Sequence, residues 1–81
     1  MAYLPATIRY AEDLSSTQKL LYAEITSLAD KYGYCFAGNK HFSDLFGVSP
    51  TWISKSIKDM EIKHYLRLEM NEQGNVRKIF I

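Results

Sequence analysis

FSDLFGVSPTWISKSIKDM, residues 42–60, holds two short apolar-periodic runs joined by Gly47, Val48 and Ser49. In the first run Phe42, Leu45 and Phe46 form a compact apolar face, which predicts a helix over 40–46 that Gly47 ends. In the second, Ser49 is placed to accept hydrogen bonds from free N–H groups at a new helix start. Pro50 at the first helical position loses no hydrogen bond there and has its φ preset. At about 100° per residue, Ile53, Ile57 and Met60 fall in one narrow sector. Thr51, Lys55, Lys58 and Ile62 fall opposite, with Ser54 beside them, so one face is greasy and the other polar and basic. Trp52 lies on the boundary, placed equally well to pack inward or to touch a ligand. Taken alone, the stretch is a helical hairpin whose polar face has no assigned job.

Upstream, Ser15 and Gln18 have the spacing of a capping box. Leu21, Ile25, Leu28 and Tyr32 then recur at helical spacing, and Gly33 follows as a stop, which predicts a core-forming helix over about 16–32. YCFA, 34–37, is short, aromatic and bounded by glycines, so it reads as a brief strand, and Asn39 is the expected cap of the helix at 40–46. Before Ser15, Pro5 interrupts any helix, and TIRY is expected to be extended.

Downstream, Leu66, Leu68 and Met70 alternate with Arg67 and Glu69, a period-two strand pattern. NEQGN carries turn residues, with Gly74 able to supply a positive φ, and 76–81 is β-branched and aromatic. The two runs predict a β-hairpin in which Glu69 faces Arg77. The expected order is helix, short strand, helix, tight turn, helix, hairpin, in one domain over residues 1–81 with no repeat and no linker. Because the chain stops on its last strand, it is expected to be the N-terminal part of a larger protein.

Composition narrows the function classes. A chain of 81 residues buries only about 60–65% of its unfolded surface, so its stability should be modest. A hydrophobic content of 47% is ordinary for a globular domain. No apolar run approaches a membrane span, and MAYLPATIRY does not read as a secretory signal. The lone Cys35 fits a reducing cytoplasm and reads as a small buried apolar residue. There is no metal-ligand spacing, no phosphate-cradling glycine loop and no paired-carboxylate site, so neither an enzyme nor a cofactor or metal is expected. The net charge is only +1, but residues 1–39 carry −1 and residues 40–81 carry +2.

Three helices with a tight turn before the third, then a two-stranded hairpin, is the layout of a winged helix-turn-helix: mainly α, with a small β-hairpin wing. In that layout the third helix enters the major groove of double-stranded DNA and the wing lies along the backbone or minor groove. The candidate DNA-binding residues are therefore Ser49, Thr51, Trp52, Ser54, Lys55 and Lys58 on and around the third helix. Lys40 at the start of the second helix, and Asn75 and Arg77 in the wing, complete the set. The exposed N-terminus at Ser49–Thr51 is itself a place for a phosphate.

The run LSSTQKLLYAEITSLADKYGYCFAGNKHFSDLFGVSPTWISKSIKDME resembles the winged helix-turn-helix domain of phage and plasmid replication initiators (replisome organisers) of Gram-positive bacteria. The Leu-Ser helix start, KLLYAEI, the GYCFAGN connector, LFGVS and the WISKSI helix carry the likeness, and LPATIRYAEDL is similar to the family's lead-in. The resemblance implies DNA binding at a replication origin and recruitment of other replication proteins. At EIKHYL the chain departs from the family, which usually has glycine just before the first wing strand. Here His64 takes that place. Winged helices also serve as protein–protein and oligomerisation modules. The near-neutral charge and the apolar IFI end keep that alternative open, with self-association as a dimer among the expected partnerships.

Overall fold

The computed structural model describes residues 6–74 and 76–81. Its elements are α1 (Ala6–Arg9), α2 (Ser16–Tyr32), α3 (Asn39–Phe46), α4 (Pro50–Ile62), β1 (Arg67–Met70) and β2 (Arg77–Phe80). The three longer helices and the antiparallel hairpin form the expected winged helix-turn-helix.

TIRY is not extended: it falls largely within the single turn α1. One turn of helix gains little by itself. It persists here because Ile8 is buried in the core, while Tyr10 N–H donates to the Ala6 carbonyl at 3.0 Å. α2 opens on a complete capping box, with Ser15 Oγ accepting from Gln18 N–H and Gln18 Oε1 accepting from Ser15 N–H. Leu21 and Ile25 are fully buried and Leu28 partly so, but Tyr32 at the last turn has left the core and is exposed.

α3 starts one residue early. Gly38 is its N-cap and makes no side-chain cap bond, so Asn39 is not the cap. The reason is tertiary: Asn39 Oδ1 accepts from Arg77 Nη1 at 2.7 Å and is turned to the wing. Phe42 is wholly buried, Phe46 is partly so, and Leu45 faces out. Gly47 then turns the chain at φ 67°, its N–H donating to the Ser43 carbonyl, while Ser43 Oγ donates to the Val48 carbonyl. Ser49 caps α4 by accepting from Trp52 N–H at 3.0 Å, and Pro50 follows at the first helical position. Ile53, Ile57 and Met60 are buried against the core, each such side chain contributing about 1.5–3 kcal/mol relative to exposure.

The hairpin pairs Arg67 with Phe80, Leu68 with Ile79, Glu69 with Lys78 and Met70 with Arg77. Glu69 therefore faces Lys78 across the ladder and not Arg77. Its carboxylate lies 3.1 Å from Arg67 on its own strand. The turn sets this register: Asn71 N–H donates to the Val76 carbonyl and Gly74 N–H to the Asn71 carbonyl. YCFA contributes only Cys35 to the sheet, through two hydrogen bonds of 2.9 and 2.7 Å with Ile79. Ile79 thus lies between Leu68 and Cys35, and Cys35 and Ile79 are fully buried.

Candidate nucleic-acid interface

The apolar sector of α4 is used up by the core, which leaves its polar sector outside. Ser49, Thr51, Ser54, Lys55 and Lys58 are all exposed, together with Ile62 at the C-terminal end. Helical spacing gathers them on one side, and the αL turn at Gly47 sets that side free of α3. The face offers two hydroxyl groups in its first turns, two cations below them, and the open helix N-terminus. That set can donate to and accept from base edges and hold phosphates.

The cations differ in how free they are. Lys55 has no ion-pair or hydrogen-bond partner among the described residues. Lys58 Nζ is 2.6 Å from Glu61 Oε1 three residues on, and Lys40 Nζ is 2.7 Å from Asp44 Oδ2 four residues on. The Lys58 hydrogen bond holds the Glu61 carboxyl below its ordinary pKa, and the Asp44 hydrogen bond raises that of Lys40. Both pairs are exposed and exchangeable, so each lysine can trade its carboxylate for a phosphate. Lys40 stands in the first turn of α3, the helix packed against α4.

Trp52 is half-buried and packs on the core cluster. Its outer edge borders a recess of about 370 Å³ between α4 and the start of α2, lined by Ser15, Gln18, Lys55, Ser56 and Asp59. The floor of that recess is a polar tie: Gln18 Nε2 donates to Asp59 Oδ2 at 3.0 Å, and Lys63 Nζ lies 2.9 Å from the same oxygen. These two contacts, Gln18 first, depress the Asp59 pKa. Lys63 also donates to the Asp13 carbonyl and Tyr65 Oη to the Asp13 carboxylate, fastening the end of α4 to the segment before α2.

In the wing, Asn75 lies outside the described residues. Arg77 is paired across from Met70 on the core side of the hairpin and is half-buried. Its guanidinium donates to Asn39 Oδ1 at 2.7 Å and to the Ala37 carbonyl at 2.9 Å, and its Nε is buried without a partner among the described residues. Arg77 thus clamps the wing to the connector before α3. The alternation of β2 carried that signal, since Arg77 shares parity with the buried Ile79. The i,i+3 and i,i+4 spacings of Lys58–Glu61 and Lys40–Asp44 were likewise visible in the sequence.

Among the described residues no helix is long and apolar enough to cross a membrane, and no cluster of His, Cys, Asp and Glu could hold a metal ion. Residues 12–66, from before α2 to the residue preceding β1, match the family model described as a helix-turn-helix domain. Comparisons with curated proteins and with solved structures returned no match.

Proposed function

Since the chain belongs to the helix-turn-helix domain family, whose fold serves to bind DNA, we propose that it binds double-stranded DNA sequence-specifically with α4 in the major groove and the hairpin against the backbone. The observation that carries this reading is the polar face of α4: Ser49, Thr51, Ser54, Lys55 and Lys58 stand exposed on the helix that follows the αL turn. Thr51 and Ser54 address base edges, Lys55 and Lys58 address guanine acceptors or phosphates, and Trp52 supports them from the recess side. Lys40 meets a phosphate from the start of α3, Asn75 is a further phosphate contact, and Arg77 holds the wing against the connector before α3. The target is a replication origin. The resemblance of GYCFAGN, LFGVS and WISKSI to phage and plasmid replication initiators supports that choice, with other replication proteins and a second copy as further partners in the cytoplasm.

Fluorescence anisotropy on origin duplex across a salt series tests this. Log K should fall by about 0.9 for each phosphate contact per decade of salt, and Lys55→Ala should remove about one such contact. Unchanged affinity in both Lys55→Ala and Lys58→Ala would sink the assignment of α4. A stable oligomer with no duplex affinity would favour a protein–protein module.

A further inference from the structure

The hairpin has a second face, and parity says what is on it. Leu68, Ile79 and Cys35 form one cross-strand row that points into the core. The residues flanking that row on each strand point the other way. They are Arg67 and Glu69 on β1, Phe80 and Lys78 on β2, and Tyr34 and Phe36 beside Cys35.

These side chains interleave rings with cations. The Tyr34 and Phe80 rings are 5.6 Å apart, and Tyr34 and Phe36 are 6.2 Å apart. Arg67 stacks over Phe80 at 4.4 Å and Lys78 sits over Tyr34 at 5.0 Å. Tyr32, at the end of α2, extends the strip with an edge-on contact of 5.2 Å to Phe36. Tyr32 and Phe36 are each 51% exposed, so their rings are open to a ligand. Beyond Phe36 lies an apolar recess of about 220 Å³ bordered by Leu28, Ala37 and His41.

We propose that this outer sheet face binds single-stranded nucleic acid, with bases stacked on Phe36, Tyr32 and the Arg67–Phe80 pair and phosphates met by Lys78 and Arg67. A face for another protein would concentrate apolar residues and deplete charge at its centre. Here cations alternate with rings, the combination that holds unpaired bases and their backbone. Glu69 is the opposing charge, and Arg67 holds it at 3.1 Å. None of the stacking or phosphate-meeting residues lies on α4; the two readings share only the hairpin, and Tyr32 and Phe36 lie outside it.

The test is anisotropy of the full chain with labelled oligo-dT and oligo-U of about 12 nucleotides, within the usual site size, beside the same measurement on duplex. Wild type should bind at least one oligomer, and the comparison of dT with U tells DNA from RNA. Phe36→Ala should weaken that binding by about 5- to 150-fold, the loss of one stacked base, with duplex affinity unchanged. Phe36→Tyr should retain binding, and Glu69→Gln should tighten it by removing the like charge. Wild type that binds neither oligomer at low salt overturns the proposal, and so does Phe36→Ala matching wild type. A dimer that Phe36→Ala dissolves while both oligomers stay unbound would assign the face to a second copy instead. If Lys55→Ala and Lys58→Ala both spare duplex binding, the α4 reading fails while the oligomer result still stands.

Discussion

The two ends of α4 turn through nearly the same backbone angle by different means. Before the helix, Gly47 has φ 67°; after it, His64 has φ 66°. At the first turn every hydrogen bond is local. Gly47 bonds to Ser43, Ser43 to Val48, and Trp52 to Ser49. At the second, no glycine marks the stop, and the helix ends at Ile62 with Lys63 as its C-cap. Beside the local bonds of Lys63, His64 and Tyr65 N–H to the Asp59, Glu61 and Met60 carbonyls, it has distant ties that the first turn lacks: Gln18 to Asp59 across 41 residues, Lys63 to Asp13 across 50, and Tyr65 to Asp13 across 52. The leading end of the helix is thus encoded where it stands. The trailing end, which leads into the wing, is held in addition by the rest of the domain.

The sharpest way to separate the two ends is to remove the local cap. Ser49→Ala should cost about 1 kcal/mol, within a range of about 0.5–2, because Trp52 N–H loses its acceptor. Urea denaturation measures this, and an unchanged midpoint would mean that the turn does not depend on its cap.

At the other end, the change should run the opposite way. Relieving a left-handed L-residue returns about 1–2 kcal/mol, and glycine's extra freedom in the unfolded chain takes back about 0.5–1. His64→Gly should therefore stabilise by about 0.5 kcal/mol and raise Tm slightly. A lower Tm would show that the His64 side chain contributes contacts outweighing its backbone strain.

The smallest effect concerns pH. Asp59 and Glu61 have folded pKa values depressed below their ordinary 3.8 and 4.5. Their stabilisation is complete above those ordinary values and is lost as pH falls through the depressed ones. Amide exchange from about pH 5 to about pH 3 should therefore loosen Lys63–Leu68 first, once the intrinsic pH dependence is divided out, and leave Gly47–Trp52 unaffected. Equal loosening at both ends would contradict the local-versus-distant division.

The same division explains what could be read from the sequence. The Ser15–Gln18 box, Gly33, Gly47 and the Ser49–Pro50 start are short-range devices, and each occurs where its residues predict. So is the polar face of α4, because three apolar residues at helical spacing leave only one side for the core. TIRY failed as a strand because Ile8 packs on the core, which no local pattern announces. Asn39 failed as a cap because Arg77, 38 residues later, takes its side chain. The Glu69–Arg77 pairing failed because one residue of register decides partners, and the turn hydrogen bonds decide register.

By itself, then, the sequence determined α2, α3 to within a residue, the start of α4, the stops at Gly33 and Gly47, the αL turn between α3 and α4 and the polar face that α4 leaves exposed. Their causes lie within a few residues of one another, where capping, glycine conformation and helical spacing operate. Only the tertiary structure decided how the wing is hung. It placed Arg77 inward on Asn39 and Ala37, and it tied Asp59, Lys63 and Tyr65, on either side of His64, to Gln18 and Asp13. It also joined Cys35 to Ile79 so that Tyr34, Phe36, Phe80, Arg67 and Lys78 share one open face. Those outcomes depend on strand register and on contacts between distant segments, and they exist only once the chain has closed on itself.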